Sequence, residues 1–470
     1  MVVLGGVTPA SLPWGFLVCG LLCLALLRQA GKLLDMLWLR PRRLERELRA
    51  QGLRGTPYRF PVGDLKEYGR VHKAAWARPL PLGCHDISAH VAPFLYNAVQ
   101  EHGRTCFSWV GPIPKVTISD PDLAKDVMSN KFGHFEKTKL PALSKLLAEG
   151  LASIDGDKWA KHRRILNPAF QLEKVKTLQR MLPAFSSCCE DLVSRWRESL
   201  GSNGSCELDV WPELKNLTGD VISRTAFSSS YLEGRKIFQL QEEQAERLIT
   251  NIRALLIPAY LSLPTKNNRR MHQINKEIES ILKNLVGKRI QAMKQGESTK
   301  DDLLGLLLES NMRQTDEHGR SSQGMTIEDV TMILYEVLRL YPPATLFSRK
   351  TYKEMEIGGI TYPAGVMVEL PVMFIHHDQH IWGSEVHEFK PDRFAGGVSK
   401  ASNDSGAFLP FGWGPRICIG QNFALLEAKM AMCMIIQSFE FELAPSYSHA
   451  PYTVITLQPM HGAQINLRAI

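Results

Sequence analysis

The sequence lacks the cysteine spacing of a disulfide framework or a structural zinc site. Its 470 residues include nine cysteines, an odd number, and they form no Cys-x-x-Cys pair and no Cys/His zinc pattern. Most of them are therefore expected to be buried or membrane-embedded thiols in a reducing compartment: Cys19, Cys23, Cys84, Cys106, Cys188, Cys189, Cys206 and Cys433. Cys418 differs from these because it lies in a glycine-rich segment.

An internal repeat is also absent, as is a basic motif interleaved with aromatic residues. The lysines and arginines are spread along the chain, so a nucleic-acid partner is not expected. The formal charge of +8 instead favours acidic partners or anionic membrane surfaces. Hydrophobic residues make up 44% and charged residues 22%, which is ordinary for a globular protein. The length suits one large enzyme core or several average domains.

Charged residues are missing from positions 1–27, and positions 12–27 are almost wholly apolar. Extended to residue 30, this stretch is about long enough to cross a ~30 Å hydrocarbon layer as a helix. Basic residues follow at once, namely Arg40, Arg42, Arg43, Arg46 and Arg49. Positive charge on this side of the span places the rest of the chain in the cytosol. A cleaved signal peptide is the alternative, but a basic start and an obvious cleavage site are lacking.

We therefore predict three parts: a transmembrane anchor (1–30), a basic linker with glycine and proline (31–60) and one globular domain (61–470). Helical apolar spacing recurs in the domain at 89–102, 173–200, 240–261 and 271–293. Shorter strand signals lie at 115–118, 356–357, 360–362 and 366–370. The expected fold class is mainly α with a small β-sheet.

The segment Phe411-Gly-Trp-Gly-Pro-Arg-Ile-Cys-Ile-Gly420 carries the most chemical information in the chain. Its glycines let the backbone turn tightly and approach a flat ligand closely. A helical pattern follows over residues 421–439, so Cys418 lies at a helix start, where amide donors and the helix dipole favour a thiolate. The segment resembles the haem-binding signature of the cytochrome P450 family, which it matches at Phe411, Gly414, Arg416, Cys418 and Gly420.

This resemblance implies the cytochrome P450 fold and a haem b whose iron has Cys418 as its ligand. Thiolate ligation pushes electron density onto the iron, which favours cleavage of an O–O bond. Phe411 would pack beside the sulfur, and Arg416 would reach a haem propionate.

A second resemblance concerns an ion-paired triad. Glu336-Val-Leu-Arg339 places an acid and a base one helical turn apart on one face of a helix. Downstream, Phe389-Lys-Pro-Asp-Arg-Phe394 supplies Arg393. In the family such a Glu–Arg–Arg triad locks the loop that presents the cysteine, and the resemblance assigns this structural role to Glu336, Arg339 and Arg393. Buried charges persist only when they are paired, which suits a network of three.

A third resemblance concerns the propionates. Trp159-Ala-Lys-His-Arg163 is similar to the family's Trp-x-x-x-Arg helix, whose Trp and Arg bond a propionate. Residues at i and i+4 of a helix reach the same point. Arg349, ten residues after Arg339, matches another propionate contact. Together with Arg416, three arginines would face one dianionic edge, because Arg binds carboxylate bidentately.

His376-His377-Asp378 is a weaker candidate, for a metal site. Adjacent residues on a strand or turn point apart, and no third ligand follows at a suitable spacing. We therefore predict a structural role for these histidines.

Two more segments, Phe132-Gly-His-Phe135 and residues 155–170, resemble one plant clan of the family, which includes secologanin synthase and oxidases of terpenoids, brassinosteroids and gibberellins. Membership implies a single-pass protein of the endoplasmic reticulum membrane with its domain in the cytosol. It also implies electrons from NADPH through NADPH–cytochrome P450 reductase, whose acidic face would suit the basic chain. The implied reaction inserts one oxygen atom of O2 into a lipophilic small molecule. Substrate contacts are expected from 137–152 and 456–461.

One family element is missing. Between residues 301 and 336 there is no Ala/Gly-Gly-x-Asp/Glu-Thr sequence, the distal-helix motif whose acid and threonine deliver protons in active members. Residues 325–330 resemble the start of that helix and residues 331–336 the start of the Glu-x-x-Arg helix. The family's order of helices then implies that roughly fifty residues are lacking at the Val330/Thr331 seam. One fused helix is expected there.

No distal catalytic residue is therefore assigned, and functions of different classes remain open. The resemblance implies a haem-thiolate monooxygenase that acts on a terpenoid, steroid-hormone or gibberellin-like molecule. Alternatively, it is a catalytically impaired haem-binding membrane protein, from a splice variant or an incomplete gene model. A minor third alternative is a haem-thiolate isomerase or dehydratase, which needs no proton relay.

Overall fold

A computed structural model of the chain describes residues 14–130, 133, 135–137, 150–152, 154–170, 175–227, 231–251, 260–294, 327–404 and 406–470. Within these ranges the protein is mostly helical with small sheets, as predicted. The α-helices are α1 (Trp14–Leu34), α2 (Arg40–Ala50), α3 (Leu65–Trp76), α4 (Ser88–Val91), α5 (Pro93–His102), α6 (Pro121–Ser129), α7 (Gly156–Phe170), α8 (Val175–Glu198), α9 (Val210–Phe227), α10 (Tyr231–Thr250), α11 (Lys266–Lys294), α12 (Ile327–Leu340), α13 (Val372–His376), α14 (Gln379–Trp382) and α15 (Gln421–Ile436).

The strands form one larger mixed sheet and three small ones. They are β1 (Arg54–Gly55), β2 (Thr105–Val110), β3 (Ile113–Ile118), β4 (Phe135–Glu136), β5 (Ser205–Asp209), β6 (Phe347–Thr351), β7 (Met355–Ile357), β8 (Ile360–Tyr362), β9 (Met367–Leu370), β10 (Phe439–Leu443), β11 (Pro451–Thr453), β12 (Leu457–Pro459) and β13 (Gln464–Ala469). The six-stranded sheet has the order β1-β2-β3-β9-β6-β4. The others are β10-β13-β5, β11-β12 and β7-β8.

Local sequence signals explain where several elements begin and end. The Asp120 carboxylate accepts a hydrogen bond from the Leu123 amide (2.9 Å) and caps α6, with Pro121 at its first position. The same helix ends at Asn130, which adopts a left-handed conformation (φ 46°). The predicted helix over 89–102 is divided into α4 and α5, because Pro93 has no amide proton to continue the helix.

Two hydrophobic clusters make up most of the described core. The larger one packs the six-stranded sheet against α6 and α13, with Phe107, Val116 and Val368 fully buried. The second packs α8 against α9, α15 and the β10-β13-β5 sheet. Here the rings of Phe185 and Phe423 lie 4.9 Å apart and edge-on. The clusters fix the sheet, which carries Arg349, and α15, which begins after Cys418.

Helix α12 runs without interruption across Val330 and Thr331, so a single helix is observed where one was expected. The apolar residues of α12 are only partly buried. Val330 is fully buried, whereas Val337 is 40% exposed. The seam is therefore locally compatible with a helix, while part of the apolar face of that helix remains uncovered by the described residues.

The first described helix, α1, leads through a π-helical turn (Asp35–Leu39) into α2. Among the described residues, no helix combines the length and the apolar content that crossing a bilayer requires. The predicted anchor over residues 1–30 lies partly outside the described residues, which begin at residue 14.

Candidate functional site

The cysteine segment forms a compact turn that ends where α15 begins. Residues Gly414–Arg416 make one turn of 3-10 helix, and the Ile417 amide donates to the Gly414 carbonyl (3.0 Å). The Cys418 amide donates to the Phe411 carbonyl (2.9 Å). The Cys418 amide thus has its hydrogen-bond partner within the turn, so the backbone there is held rigidly. The residue itself is exposed to solvent.

Glycine is required at one point of this turn. Gly414 has φ 71°, and a Cβ there would lie 2.9 Å from the Ser129 Cα. The turn therefore sits directly against the end of α6. At the other end, the Ala424 amide donates to the carbonyl of Gly420, the N-cap (2.9 Å), so α15 starts three residues after Cys418. This matches the predicted position of Cys418 near a helix start.

Helix α15 is anchored beneath the cysteine turn by an aromatic contact and carries one unusual acid. Phe423 is buried and packs on Phe170 and Phe185. Glu427 is 8% exposed, and its Oε1 has no hydrogen-bond partner within the described residues. Burial raises the pKa of the Glu427 carboxyl to about 8, so it is mainly protonated at neutral pH.

Two residues of α7 bind the cysteine turn from the side. The Arg163 guanidinium donates to the Ile417 carbonyl (2.8 Å) and to Asn167 Oδ1 (2.7 Å). Burial lowers the pKa of Arg163, and the neighbouring Cys418 acts in the opposite direction. The Arg416 guanidinium lies over the Trp159 ring, 4.4 Å from its centroid. The structure thus brings both predicted members of the Trp-x-x-x-Arg pair to the cysteine turn.

Arg349 joins this group from the central sheet. It lies on β6, is 8% exposed, and donates to the Ser348 carbonyl (2.9 Å). Burial lowers the pKa of Arg349, and the charge of Arg416 lowers it further. Arg416 also donates to the Ile154 carbonyl (3.1 Å) and forms an ion pair with Asp155.

Lys137 is a further member of this group that sequence reasoning did not single out. Its ammonium donates to the Ala152 carbonyl. Burial, Arg416 and Arg349 together lower the pKa of Lys137 to about 8, while Asp155 partly opposes them. A lysine just after a strand-like Phe135–Glu136 pair has no distinctive local pattern, so only the fold reveals it.

We call Lys137, Arg349 and Arg416 the cation cluster. Within the described residues, Asp155 is the one carboxylate whose charge acts on it. The cluster therefore holds positive charge in excess, in partly buried surroundings where an unbalanced charge is costly. Such an arrangement suits a ligand with two acidic groups.

The predicted triad is assembled in the interior. Glu336 and Arg339 are both fully buried, and the Arg339 Nε and Nη2 donate to the two Glu336 oxygens at 2.8 and 2.7 Å. Arg393 Nε lies 3.5 Å from Glu336 Oε1, and its Nη groups donate to the Trp382 and Glu385 carbonyls (2.9 Å each). Their predicted proximity is thus observed.

His376 connects the triad to the cysteine segment, a contact the sequence did not predict. Its Nδ1 faces the Arg339 carbonyl (3.2 Å), and its Nε2 accepts from the Leu409 amide (2.9 Å), two residues before Phe411. Because Nε2 accepts, Nδ1 carries the proton in the neutral ring. Burial lowers the pKa of His376 to about 3, so the ring is neutral at pH 7.

Comparison with known proteins gives a consistent result. The family model described as Cytochrome P450 matches residues 83–334 and 325–459. The chain is 50% identical to cytochrome P450 CYP72A616 of Paris polyphylla over 496 aligned positions, covering 93% of this chain and 95% of the relative. It is 46% identical to cytochrome P450 72A15 of Arabidopsis thaliana, covering 92% and 94%.

A solved structure, retinoic acid bound cyanobacterial CYP120A1, has a similar fold. The two superpose with a TM-score of 0.64 over 84% of this chain and 99% of that chain. Their sequences are 20% identical, so this likeness concerns the fold alone.

Proposed function

Because the chain belongs to the cytochrome P450 family, a class of monooxygenases, we propose that Cys418 is the thiolate ligand of a haem b iron. The observation that carries this proposal is an exposed cysteine, held rigidly at the start of α15, beside a cation cluster with excess charge. A haem fits both features, since it has a metal that accepts a thiolate and two propionates that would balance the cations.

Each residue of the candidate site would have its own role in holding the haem. Arg349, Arg416 and Lys137 would bind the propionates, with Trp159 supporting Arg416 through the cation–π contact. Arg163 holds the Ile417 carbonyl and so fixes the backbone next to Cys418. Phe411 fixes it from the other side through its carbonyl.

The glycines Gly414 and Gly420 would let the turn lie close to the macrocycle. The triad Glu336, Arg339 and Arg393 would keep the turn in place through His376 and Leu409. When bound, the haem supplies the redox chemistry of O2 activation. The chain would contribute a rigidly held thiolate and cations that balance the propionate charges.

The proposed reaction inserts one oxygen atom of O2 into a lipophilic small molecule of terpenoid, steroid-hormone or gibberellin-like character. Electrons would come from NADPH through NADPH–cytochrome P450 reductase, whose acidic face suits a chain with a charge of +8. Residues 1–30 would anchor the protein in the endoplasmic reticulum membrane, and residues 61–470 would form the cytosolic haem domain. Residues 31–60 would link the anchor to this domain. The uncharged stretch at 1–27 and the basic residues after it support this arrangement.

The carbon monoxide difference spectrum of the reduced full chain tests the ligand. We expect a thiolate-type Soret band in the native chain and its loss in Cys418→Ser. The matched control is Cys433→Ser, which alters a half-buried thiol on the same helix. A thiolate-type band that persists in Cys418→Ser would contradict the assignment.

A specific observation favours a second function, that of a haem-binding protein with impaired catalysis. The alignment with the Paris polyphylla relative spans 496 positions, whereas 93% of the 470-residue chain is about 437 residues. About 59 positions of the relative thus have no counterpart in this chain. The two matched stretches of the family model meet at residues 325–334, the position of the seam.

We infer that the missing positions include the distal helix with its Ala/Gly-Gly-x-Asp/Glu-Thr motif. Without an acid and a threonine above the haem, the chain has no assigned group to deliver protons. The uncovered Val337 on α12 agrees with the loss of a neighbouring helix. On this reading haem binding by Cys418 persists while NADPH-dependent turnover is negligible.

NADPH-dependent turnover by the purified chain with reductase distinguishes an active monooxygenase from a haem-binding protein with impaired catalysis. A matched pair consists of the native chain and a chimera that carries the relative's distal segment between Val330 and Thr331. We expect haem binding in both and substrate oxidation in the chimera alone. Turnover by the native chain would contradict the hypothesis of impaired catalysis and would support monooxygenase activity.

A further inference from the structure

Three potential metal ligands from separate loops meet at a distance from the cysteine turn. One ligand atom from each of Asp86, His377 and His387 lies within 4.8 Å of the other two. Asp86 precedes α4, His377 follows α13, and His387 follows α14. The spacing rule applied to the sequence missed this group, because His387 follows His377 by ten residues and Asp86 comes from a distant part of the chain.

His377 is oriented as a metal-binding histidine would be. Its Nε2 lies 2.9 Å from the Leu340 carbonyl oxygen, which can only accept, so Nε2 carries the proton in the neutral ring. The lone pair is then on Nδ1, which faces Ser88 Oγ at 3.3 Å. Metal-ligating histidines usually donate their other nitrogen to a carbonyl or carboxylate in this way.

His387, unlike His377, has a ring nitrogen without a hydrogen-bond partner among the described residues. Its Nδ1 is shielded from solvent and makes no hydrogen bond within the part of the chain that the structure describes. The Asp86 Oδ1 lies 3.9 Å away, too far for a hydrogen bond. A shielded polar atom beside a carboxylate that it does not contact is explained if a third group bridges the two.

Arg339 fixes the backbone under both histidines. Its Nη1 donates to the carbonyl oxygens of His376 (3.0 Å) and Val386 (2.8 Å), the residues directly before His377 and His387. The two ring positions are therefore set by one buried guanidinium rather than by mobile loops.

The charge of that guanidinium does not prevent cation binding. Glu336 neutralises Arg339 through two short hydrogen bonds, and both side chains are fully buried. Asp86 adds a negative charge on the side of the ligand atoms, with 48% of its side chain exposed. A cation arriving from solvent thus meets a carboxylate first.

We propose that Asp86, His377 and His387 bind a divalent transition metal ion, with Zn²⁺ as the expected species. Two imidazoles and one carboxylate are a typical three-ligand set for zinc, with water at the fourth position, whereas Ca²⁺ and Mg²⁺ prefer oxygen ligands alone. Ligand atoms on a tetrahedral zinc lie about 3.4 Å apart. The half-exposed side chains of Asp86 and His387 would close the remaining gap by small rotations.

Zinc bound here tethers the loop before α4 to the segments that hold the buried ion pair of α12. The site is separate from Cys418 and does not depend on haem binding.

Equilibrium dialysis of the full chain against a micromolar zinc series, after chelator treatment, tests the proposal with zinc sulfate as the probe. Bound zinc is counted by atomic emission. We expect one zinc ion per chain in the native protein and at least ~10-fold weaker binding in His387→Gln and in Asp86→Asn. Asp86→His, which keeps a ligand at this position, should retain binding. The control is His380→Gln, an exposed histidine on α14.

The amount of zinc bound by free thiols should be the same in all variants, so it cancels when the variants are compared. Native-like helix content, read by circular dichroism, identifies any variant that fails to fold, and the two substitutions lie on different segments. Equal zinc binding by the native chain, His387→Gln and Asp86→Asn would overturn the proposal, as would the absence of zinc binding in the native chain.

Discussion

Two groups of buried arginines differ in how their charge is balanced. Arg339 is fully buried, pairs with both oxygens of Glu336, and donates to three backbone carbonyls. Arg349 is almost as buried, yet its described hydrogen bond goes to the Ser348 carbonyl, and the charge of another arginine, Arg416, lowers its pKa further. In the first group the charge is balanced within the group, whereas the second group holds cations that repel one another.

The difference separates a charge that the fold keeps for its own stability from a charge that it keeps for a ligand. A buried guanidinium is tolerated when hydrogen bonds and a carboxylate compensate for its lost hydration. The cation cluster lacks such compensation within the described residues, so its cost is met only when an anion binds. The resemblance to propionate-binding arginines and this charge imbalance are independent arguments for the same site.

The largest effect is expected from Glu336→Gln. This change removes the negative partner of Arg339 and leaves a buried cation unpaired, which should lower the free energy of unfolding by about 3–5 kcal/mol. Urea unfolding followed by circular dichroism measures it. Glu385→Gln serves as the control, because its exposed pair with Lys390 should leave the unfolding midpoint nearly unchanged. Similar midpoints for the two variants would mean that the buried pair is not a stabilising element.

Glu427→Gln should have the opposite sign. The folded-state pKa of Glu427 is raised to about 8, above its usual value, so folding takes up a proton between roughly pH 4.5 and 8. Stability is then lost as pH rises through this window. The neutral amide escapes this cost and should stabilise the protein by roughly 2–3 kcal/mol at pH 7.

The gain from Glu427→Gln should disappear as the pH falls to about 4.5, where the carboxyl is protonated in both states. Urea unfolding at several pH values measures it, with exposed Glu440→Gln on β10 as the control. A gain that does not vary with pH would show that packing, rather than protonation, separates the amide from the acid.

Arg349→Met should leave the stability of the haem-free chain unchanged or raised, because it removes an uncompensated buried cation. It should weaken haem binding by ~10–100-fold, the effect of losing a charge-assisted bidentate contact. Arg339→Met is the matched substitution at the balanced site, and it should destabilise the chain itself. Haem titration at the Soret band and urea unfolding provide the two measurements. Equal destabilisation by both variants would show that the clusters do not differ in kind.

The sequence predicted the residues of the triad and two members of the cation cluster, Arg349 and Arg416. Glu336 and Arg339 lie on one helix at a fixed spacing, and Arg163 follows Trp159 by one turn, so local periodicity alone places them together. The fused α12 and the strands at 355–357, 360–362 and 367–370 followed for the same reason. A short segment with helical or strand periodicity is enough to predict a helix or a strand.

Contacts between distant segments could not be predicted in this way. Lys137 reaches Arg349 and Arg416 because β4 pairs with β6, a pairing that joins residues far apart in sequence. His376 lies next to Leu409, and Asp86 lies near His387, although each pair is separated in sequence by more than thirty residues. The sheet β10-β13-β5 was also missed, since the alternation in its strands is short and β5 lies in a polar stretch. Tertiary placement, rather than local pattern, selects these residues.

The smallest effect, and the sharpest test of the unbalanced cluster, concerns Lys137. Its pKa of about 8 in the haem-free chain should rise when propionates bind, because opposite charge favours the ammonium form. Haem binding then takes up a proton above pH 8. The affinity contributed by Lys137 is fully present below pH 8 and falls by up to about tenfold per pH unit above it, until the pKa of the complex is reached.

Other groups titrate in the same range, so the informative quantity is the ratio of haem affinities between variants. Lys137→Arg keeps its charge at every pH used and is the reference, while Lys137→Met has none. The native chain should resemble Lys137→Arg at pH 7 and approach Lys137→Met by pH 9.5, as measured by haem titration at the Soret band. If the ratio of native to Lys137→Arg affinity stays constant across this range, Lys137 does not face the anion, and the positive excess of the cluster must be compensated elsewhere.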